Sequence, residues 1–330
     1  MATFNATDSN FSKTDNWIVS GTTLKTMRVG SEIVGKFTGS SLTASVNADG
    51  ARKVVWQVNY GNFQEATLVS GANNLTLATG LGAGTHIFRF YYSHRGASAG
   101  NRWDGPDVTI NSFTCDALVA VPTSPKKFYL YGDSITAGYQ LNNTHVNSLS
   151  MMLREAFPEY SVSNFAIGGT GWNNPGGGNI PIFPNHWDLA WGGTPYPFDM
   201  SPELVYIAHG QNDQPHTDAV ITSAVTNTVN AMVSKWPAAK IFVQTPYLAH
   251  KRSAIIAGVN AVSSPNVKLL DLGTEYERNI VSGASTYYTT DQVHPNLNIL
   301  PAIAARTARD IAFNMSSADF TWSNGTIPLL

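Results

Sequence analysis

The chain has 330 residues, enough for two cores, and its 43% hydrophobic and 13% charged residues with 28 Gly and 17 Pro describe packed, loop-rich domains and exclude a disordered chain. A net charge of −2 with no basic face excludes a nucleic-acid binder, which needs cations to exchange for phosphate counterions. The single Cys115 excludes an intrachain disulfide framework and a multi-cysteine zinc site, no run approaches the roughly 20 apolar residues of a membrane span, and residues 1–14 have neither the basic start nor the apolar core of a signal peptide.

In chain order, residues 1–120 are written in short strands, at 24–29, 32–38, 42–46, 54–60, 74–78, 86–93 and 107–114, with Gly, Ser, Asn and Asp clusters between them at the spacing of a β-sandwich. Within 86–92, Ile87, Arg89 and Tyr91 fall on one face and Phe88, Phe90 and Tyr92 on the other, as a sandwich strand requires. The Pro-punctuated stretch 117–127 reads as a linker and divides the chain into domains 1–120 and 121–330.

Beyond the linker, strands alternate with helices. An apolar strand at 128–132 runs into Gly132-Asp133-Ser134. A helix at 146–157 carries Val146, Leu149, Met152, Leu153 and Ala156 on one face, and Pro158 stops it. Strands follow at 161–167, 204–208, 240–244 and 267–272. Helices are predicted at 219–236, with Val220, Ala224, Val225, Val229 and Met232 on one stripe, and at 297–313, with Pro301 in its first turns. This order predicts a five-stranded parallel sheet in a three-layer α/β/α sandwich behind an all-β domain.

Nucleophilic hydrolysis needs a hydroxyl at a strand end, a base, a group that orients the base, and donors for the developing oxyanion. Separate loops of this chain offer all four. Ser134 supplies the hydroxyl, while His294 and Asp291 supply imidazole and carboxylate just before the last helix. The donors are the backbone N–H groups of Ser134 and Gly169 and the side-chain amide of Asn212. Without Gly-x-Ser-x-Gly around Ser134, the nucleophile elbow of α/β-hydrolases is excluded.

Gly132-Asp133-Ser134, Gly169, Gly210-x-Asn212-Asp213 and Asp291-x-x-His294, four blocks in order across about 160 residues, resemble those of the SGNH hydrolases, the GDSL esterase/lipase superfamily. The resemblance implies Ser134 as nucleophile, His294 as base, Asp291 as its orienter, Gly169 and Asn212 as oxyanion donors, and no metal or cofactor. The chain departs from the usual pattern at Gly168, where Ser is common, and at Gln211, where Thr or Ala is common; neither position supplies an essential side chain. In the first 120 residues, Lys36-Phe37-Thr38-Gly39, Val55-Trp56-Gln57 and the stretch 74–86 resemble the jelly-roll domain that precedes the catalytic domain in family-two carbohydrate esterases. The implied substrate is an acetylated carbohydrate. The implied location is extracellular or virion-associated, since related two-domain esterases occur in bacteriophage tails. A lipase or thioesterase on the same fold, and a tail protein that only binds polysaccharide, are the alternatives.

The aromatic-rich loop 172–202 is long enough to be functional. Trp172, Trp187, Trp191, Tyr196 and Phe198 are candidates for a sugar platform, and Asn173, Asn174 and Asn185 for bonds to sugar hydroxyls; a self-packed loop is the alternative. Asp133, His209 and Gln211 complete the candidate substrate contacts, His216 is a second cleft candidate, and Asp213 is expected to support the loop of Asn212.

Overall fold

The computed structural model describes residues 1–94, 103–123, 126–139, 147–197, 199–273 and 293–315. The chain forms two units, Met1–Pro125 with Asp188–Met200, and Lys126–Trp187 with Ser201–Leu330.

The first unit is antiparallel and jelly-roll-like. Its strands are β1 (Ala2–Asn5), β2 (Ser12–Lys13), β3 (Ile18–Ser20), β4 (Thr23–Thr26), β5 (Glu32–Thr38), β6 (Leu42–Ala48), β7 (Arg52–Val58), β8 (Gln64–Leu68), β9 (Gly71–Ala78), β10 (Thr85–His94), β11 (Val108–Cys115) and β12 (Ala117–Val119). One sheet runs β3-β4-β11-β6-β9 with β1 on β11; the other runs β12-β5-β10-β7-β8 with β2 on β5. Alternation fills the space between them: Ile33, Phe37, Val54, Trp56, Phe88 and Phe90 from one sheet meet Leu42, Ala44, Val46, Ile110 and Phe113 from the other in one core. The buried Trp56 indole N–H donates to the Leu77 carbonyl at 2.9 Å, so its burial leaves no orphan donor. Cys115 is fully buried, and burial pushes its thiol up to about 11, which makes it an inert core residue.

The strand predicted at 54–60 stops at Val58. Asn59 and Tyr60 take left-handed φ values of 51° and 56°, and Gly61 N–H donates to the Val58 carbonyl at 3.0 Å, a two-residue turn of the kind that suits a hairpin. The strand β8 that pairs with β7 went unread because Gln64-Glu65-Ala66-Thr67-Leu68 is mostly polar and mostly exposed. Asp188–Met200 completes this unit: Arg28 Nη2 donates to the carbonyls of Leu189 (3.2 Å) and Ala190 (3.4 Å), and its guanidinium lies 5.8 Å from the centre of the Trp103 ring.

The second unit contains the parallel sheet, with β13 (Lys126–Gly132), β14 (Tyr160–Asn164), β15 (Leu204–Ala208), β16 (Lys240–Gln244) and β17 (Val267–Leu270) in the order β14-β13-β15-β16-β17. Helices α1 (Leu149–Ala156), α2 (Asp218–Lys235), α3 (Arg252–Asn260) and α4 (Leu300–Asn314) accompany it. Phe128 and Leu130 of β13 join Leu149, Leu153, Leu300 and Ala304 in the core under α1 and α4. Of the alternate residues, Tyr131 stacks on Phe165 while Tyr129 meets Phe165 and Trp236 edge-on. Ser148 caps α1, accepting the Met151 N–H, so the helix starts later than the predicted residue 146, which lies outside the described residues.

In α2 the buried stripe is Ile221, Val225, Thr228, Val229 and Met232; Val220, assigned to the stripe from sequence, is 42% exposed. One residue turns a helix by about 100°, and at this edge of the stripe the core takes Ile221 and leaves Val220 at the surface. Among the described residues, no helix is long and apolar enough to cross a membrane.

Candidate active site

The site is built at the carboxyl ends of β13 and β15, with β13 lying between β14 and β15. This is the end at which open parallel sheets bind their ligands. After Gly132 the chain enters a tight turn: Asp133 Oδ1 accepts the Ile135 N–H (3.0 Å), the Asp133 carbonyl accepts Ala137 N–H (3.1 Å), and the Ser134 carbonyl accepts Tyr139 N–H (2.8 Å). An Asx-type bond of this kind favours the residue types seen here, and it leaves Ser134 half-buried at the head of the turn.

His294 reaches Ser134 from 160 residues away. Its Nε2 lies 2.7 Å from Ser134 Oγ, and with the hydroxyl as donor the imidazole carries its own proton on Nδ1. The histidine is 8% exposed and precedes a turn in which the Asn296 carbonyl accepts the N–H groups of Ile299 and Leu300 at the entrance to α4. Tyr247 Oη donates to the carbonyl of the adjacent Val293 at 3.2 Å. The Tyr139 and His294 rings lie 5.0 Å apart, inclined at 57°. Asp291, the carboxylate named for orienting His294, lies outside the described residues.

Two further loops close the site. Gly169 has φ +85°, a left-handed value that penalises any residue with a side chain. Among the described residues, neither its N–H nor that of Ser134 has an acceptor. Asn212 follows β15, and its Nδ2 donates to the Thr170 carbonyl at 2.9 Å. The same nitrogen also donates to Asp133 Oδ2 at 3.4 Å, the longer and weaker of its two bonds, so this N–H is the one that an incoming acceptor can take over.

The neighbouring Asp213 is wholly buried and ties the loops together: its carboxylate accepts the N–H groups of Trp172 (2.8 Å), Asn173 (2.8 Å) and Asn174 (3.0 Å). Gly171 makes that approach possible, since a Cβ there would stand 2.5 Å from both carboxylate oxygens. Asp213 therefore fastens the loop of Gly169, whereas the sequence pointed to support of the Asn212 loop.

The electrostatics follow from burial. Asp133 is 2% exposed and its carboxyl is raised to about 7, first by burial, with the Asp213 charge adding to it and the Ile135 N–H opposing. Burial lowers His209 to about 3, so it is a neutral imidazole in the interior, its ring 4.4 Å from that of Phe183 and tilted by 40°. Among the described residues, no three His, Cys, Asp or Glu side chains gather as metal ligands.

The model of the GDSL-like Lipase/Acylhydrolase family matches residues 130–298, about half of the chain, and spans every one of these site residues. The chain belongs to this family. No curated protein matches it by sequence.

Among solved structures, this GDSL-like hydrolase resembles a family two carbohydrate esterase from Cellvibrio japonicus at 19% identity and TM-score 0.79, covering 95% of this chain and 97% of the other. A family two carbohydrate esterase from Clostridium thermocellum in complex with cellohexaose is similar at 19% identity and TM-score 0.77, covering 92% and 98%. An acetyl xylan esterase from the rumen bacterium Butyrivibrio proteoclasticus is similar at 16% identity and TM-score 0.76, covering 96% and 100%. At these identities the shared property is the two-domain fold.

The remaining candidates fall in different places. Trp172 is fully buried, its indole N–H donating to the His209 carbonyl at 3.2 Å and its ring set against Phe183 and His209. Trp187 is 7% exposed, edge-on to Trp236 and beneath the Lys235 ammonium. Neither offers an open ring face to a sugar. Trp191 is partly exposed and belongs with Tyr196 to the sandwich unit; Phe198 lies outside the described residues.

Gln211 and His209 are buried, and His216 Nδ1 meets the side-chain amide of Asn173 at 3.0 Å. Asn174 Nδ2 donates to the Gly169 carbonyl (2.9 Å) and so holds the loop from within. Sequence reasoning missed Tyr139 and Tyr247; for Tyr139 the signal was available, an aromatic residue one short turn after the nucleophile.

Proposed function

We propose that the hydrolase removes small acyl groups, acetyl foremost, from carbohydrate esters, with Ser134 as nucleophile and His294 as base. The observation that carries this reading is the 2.7 Å approach of His294 Nε2 to Ser134 Oγ at a strand end. His294 takes the hydroxyl proton as Ser134 Oγ bonds to the ester carbonyl carbon. The resulting oxyanion sits among the N–H groups of Ser134 and Gly169 and the amide N–H of Asn212 that exchanges its long bond to Asp133 for the oxyanion. His294 returns the proton to the leaving sugar oxygen, and water, deprotonated in the same way, releases the acid from the acyl-enzyme.

Carbohydrate as the alcohol is supported by three similar structures, described as family two carbohydrate esterases and an acetyl xylan esterase, each covering more than nine-tenths of this chain. The experiment has two arms. Acetate release across a panel of acetylated glycans, with Ser134→Ala as control, is expected to show turnover that the variant lacks. A series of p-nitrophenyl esters is expected to favour acetate; a preference for octanoate or longer would replace the sugar esterase with a lipase.

A further inference from the structure

Tyr139 is 53% exposed, yet its ring lies 5.0 Å from the imidazole of His294. An exposed tyrosine ordinarily turns its ring along an apolar surface or into solvent; this one lies against the base. Its backbone is fixed independently of that contact. Tyr139 N–H donates to the Ser134 carbonyl at 2.8 Å, and Gly138 N–H to that of Ile135 at 3.1 Å, so nucleophile and aromatic ring stand at the two ends of one hydrogen-bonded turn. Tyr247 Oη donates to the Val293 carbonyl at 3.2 Å and so anchors the residue next to His294.

We propose that Tyr139 is a positioning residue for His294: its ring holds the imidazole at bonding distance from Ser134 and stabilises the imidazolium that forms as Ser134 is deprotonated. A cation over the face of an aromatic ring, within about 6 Å of its centroid, is attracted by the ring quadrupole, and the 57° inclination leaves the Tyr139 face open to the imidazole only through a small turn of either ring. A general base gains its positive charge only as it takes the proton. In the transition state it is positive, so the stabilisation is differential and enters turnover rather than substrate binding. The phenol hydroxyl is not needed for this; the ring is. The turn makes the geometry self-consistent, because any shift of Ser134 carries the ring that supports its base.

The inference rests on the reading of Ser134 and His294 as nucleophile and base, and the test separates the two. Tyr139→Ala, Tyr139→Leu and Tyr139→Phe are compared with the parent and with Ser134→Ala, following p-nitrophenyl acetate turnover and, separately, the rate of Ser134 phosphorylation by diethyl p-nitrophenyl phosphate. Expected for Ala and Leu is a fall of about tenfold in kcat and in phosphorylation rate, with KM within about twofold and an unchanged melting temperature. Tyr139→Phe is expected to restore both rates. An unchanged kcat, a change confined to KM, or no rescue by Phe overturns the proposal while leaving the Ser134 reading intact. Activity surviving in Ser134→Ala overturns that reading itself.

Discussion

Asn212 is fastened to Thr170 by a 2.9 Å hydrogen bond from its side-chain Nδ2 to the Thr170 carbonyl. The bond uses one of two amide hydrogens and aims the other, so the donor is held before any substrate arrives. Preorganisation of this kind is what gives an oxyanion donor its value, since no dipole has to turn during the reaction. Asn212→Ala is expected to lower kcat by about 10²–10³ with a much smaller change in KM. Steady-state kinetics on p-nitrophenyl acetate check it, and a loss carried by KM would remove Asn212 from the oxyanion site.

Asp213 should matter to stability before it matters to chemistry. Asp213→Ala leaves three backbone N–H groups, of Trp172, Asn173 and Asn174, without their buried acceptor. Hydrogen bonds to a charged group are worth about 1.5–3 kcal/mol each, and a loss of at least about 3 kcal/mol is expected in urea unfolding. A variant unfolding at the parent's midpoint would show that the loop finds other acceptors.

His209 makes the fold acid-sensitive. Its imidazole is held neutral by burial, at about 3 against an ordinary 6.5, so the folded state takes up its proton later than the unfolded chain. The stability is complete above about pH 6.5 and drains away as pH falls towards 3. His209→Phe, beside Phe183 and Trp172, is expected to flatten the decline in melting temperature between pH 6.5 and 4. Parallel curves for parent and variant would contradict this.

Asp133 acts in the opposite sense. Its carboxyl is raised to about 7, so its contribution is full below the ordinary value near 3.8 and is lost as pH rises through about 7. Asp133→Asn keeps an acceptor for the Ile135 N–H and carries no charge. The variant should gain in melting temperature relative to the parent on going from pH 5 to pH 8, and a constant difference between the two would show that Asp133 ionises without penalty.

Asp291→Asn tests how the base is oriented. With a carboxylate on Nδ1, turnover is expected to drop by several orders of magnitude at nearly constant KM, because the imidazolium is stabilised only in the transition state. A drop under about tenfold would make the site a Ser134–His294 dyad.

What the sequence disclosed and what it withheld divide along physical lines. The strand Glu32–Thr38 was legible to the residue because Ile33 and Phe37 alternate with polar or half-exposed positions. The meeting of Ser134 with His294 was legible because a Gly-Asp-Ser turn at a strand end and a histidine just before the last helix are short local patterns; their roles belong to the proposal. Helix α3 was not, since Lys251 stands before it at φ 58° and no side chain caps its first turn. The interior placement of Trp172 was not either: a tryptophan in a Gly-rich loop reads the same whether it meets a sugar or Phe183, and only the approach of Asp213 to the Trp172 N–H decides it.

The excursion of Asp188–Met200 into the sandwich unit has an evolutionary consequence. Fragments cut at residue 125 are not two complete modules, because one would leave the Arg28 guanidinium without the carbonyls of Leu189 and Ala190 and the other would carry thirteen residues belonging to a neighbour's fold. A sandwich that borrows part of its substance from inside another gene segment cannot be exchanged by a single crossover. A cut at residue 125 breaks both units, and a division that keeps each whole has to leave Asp188–Met200 with the first.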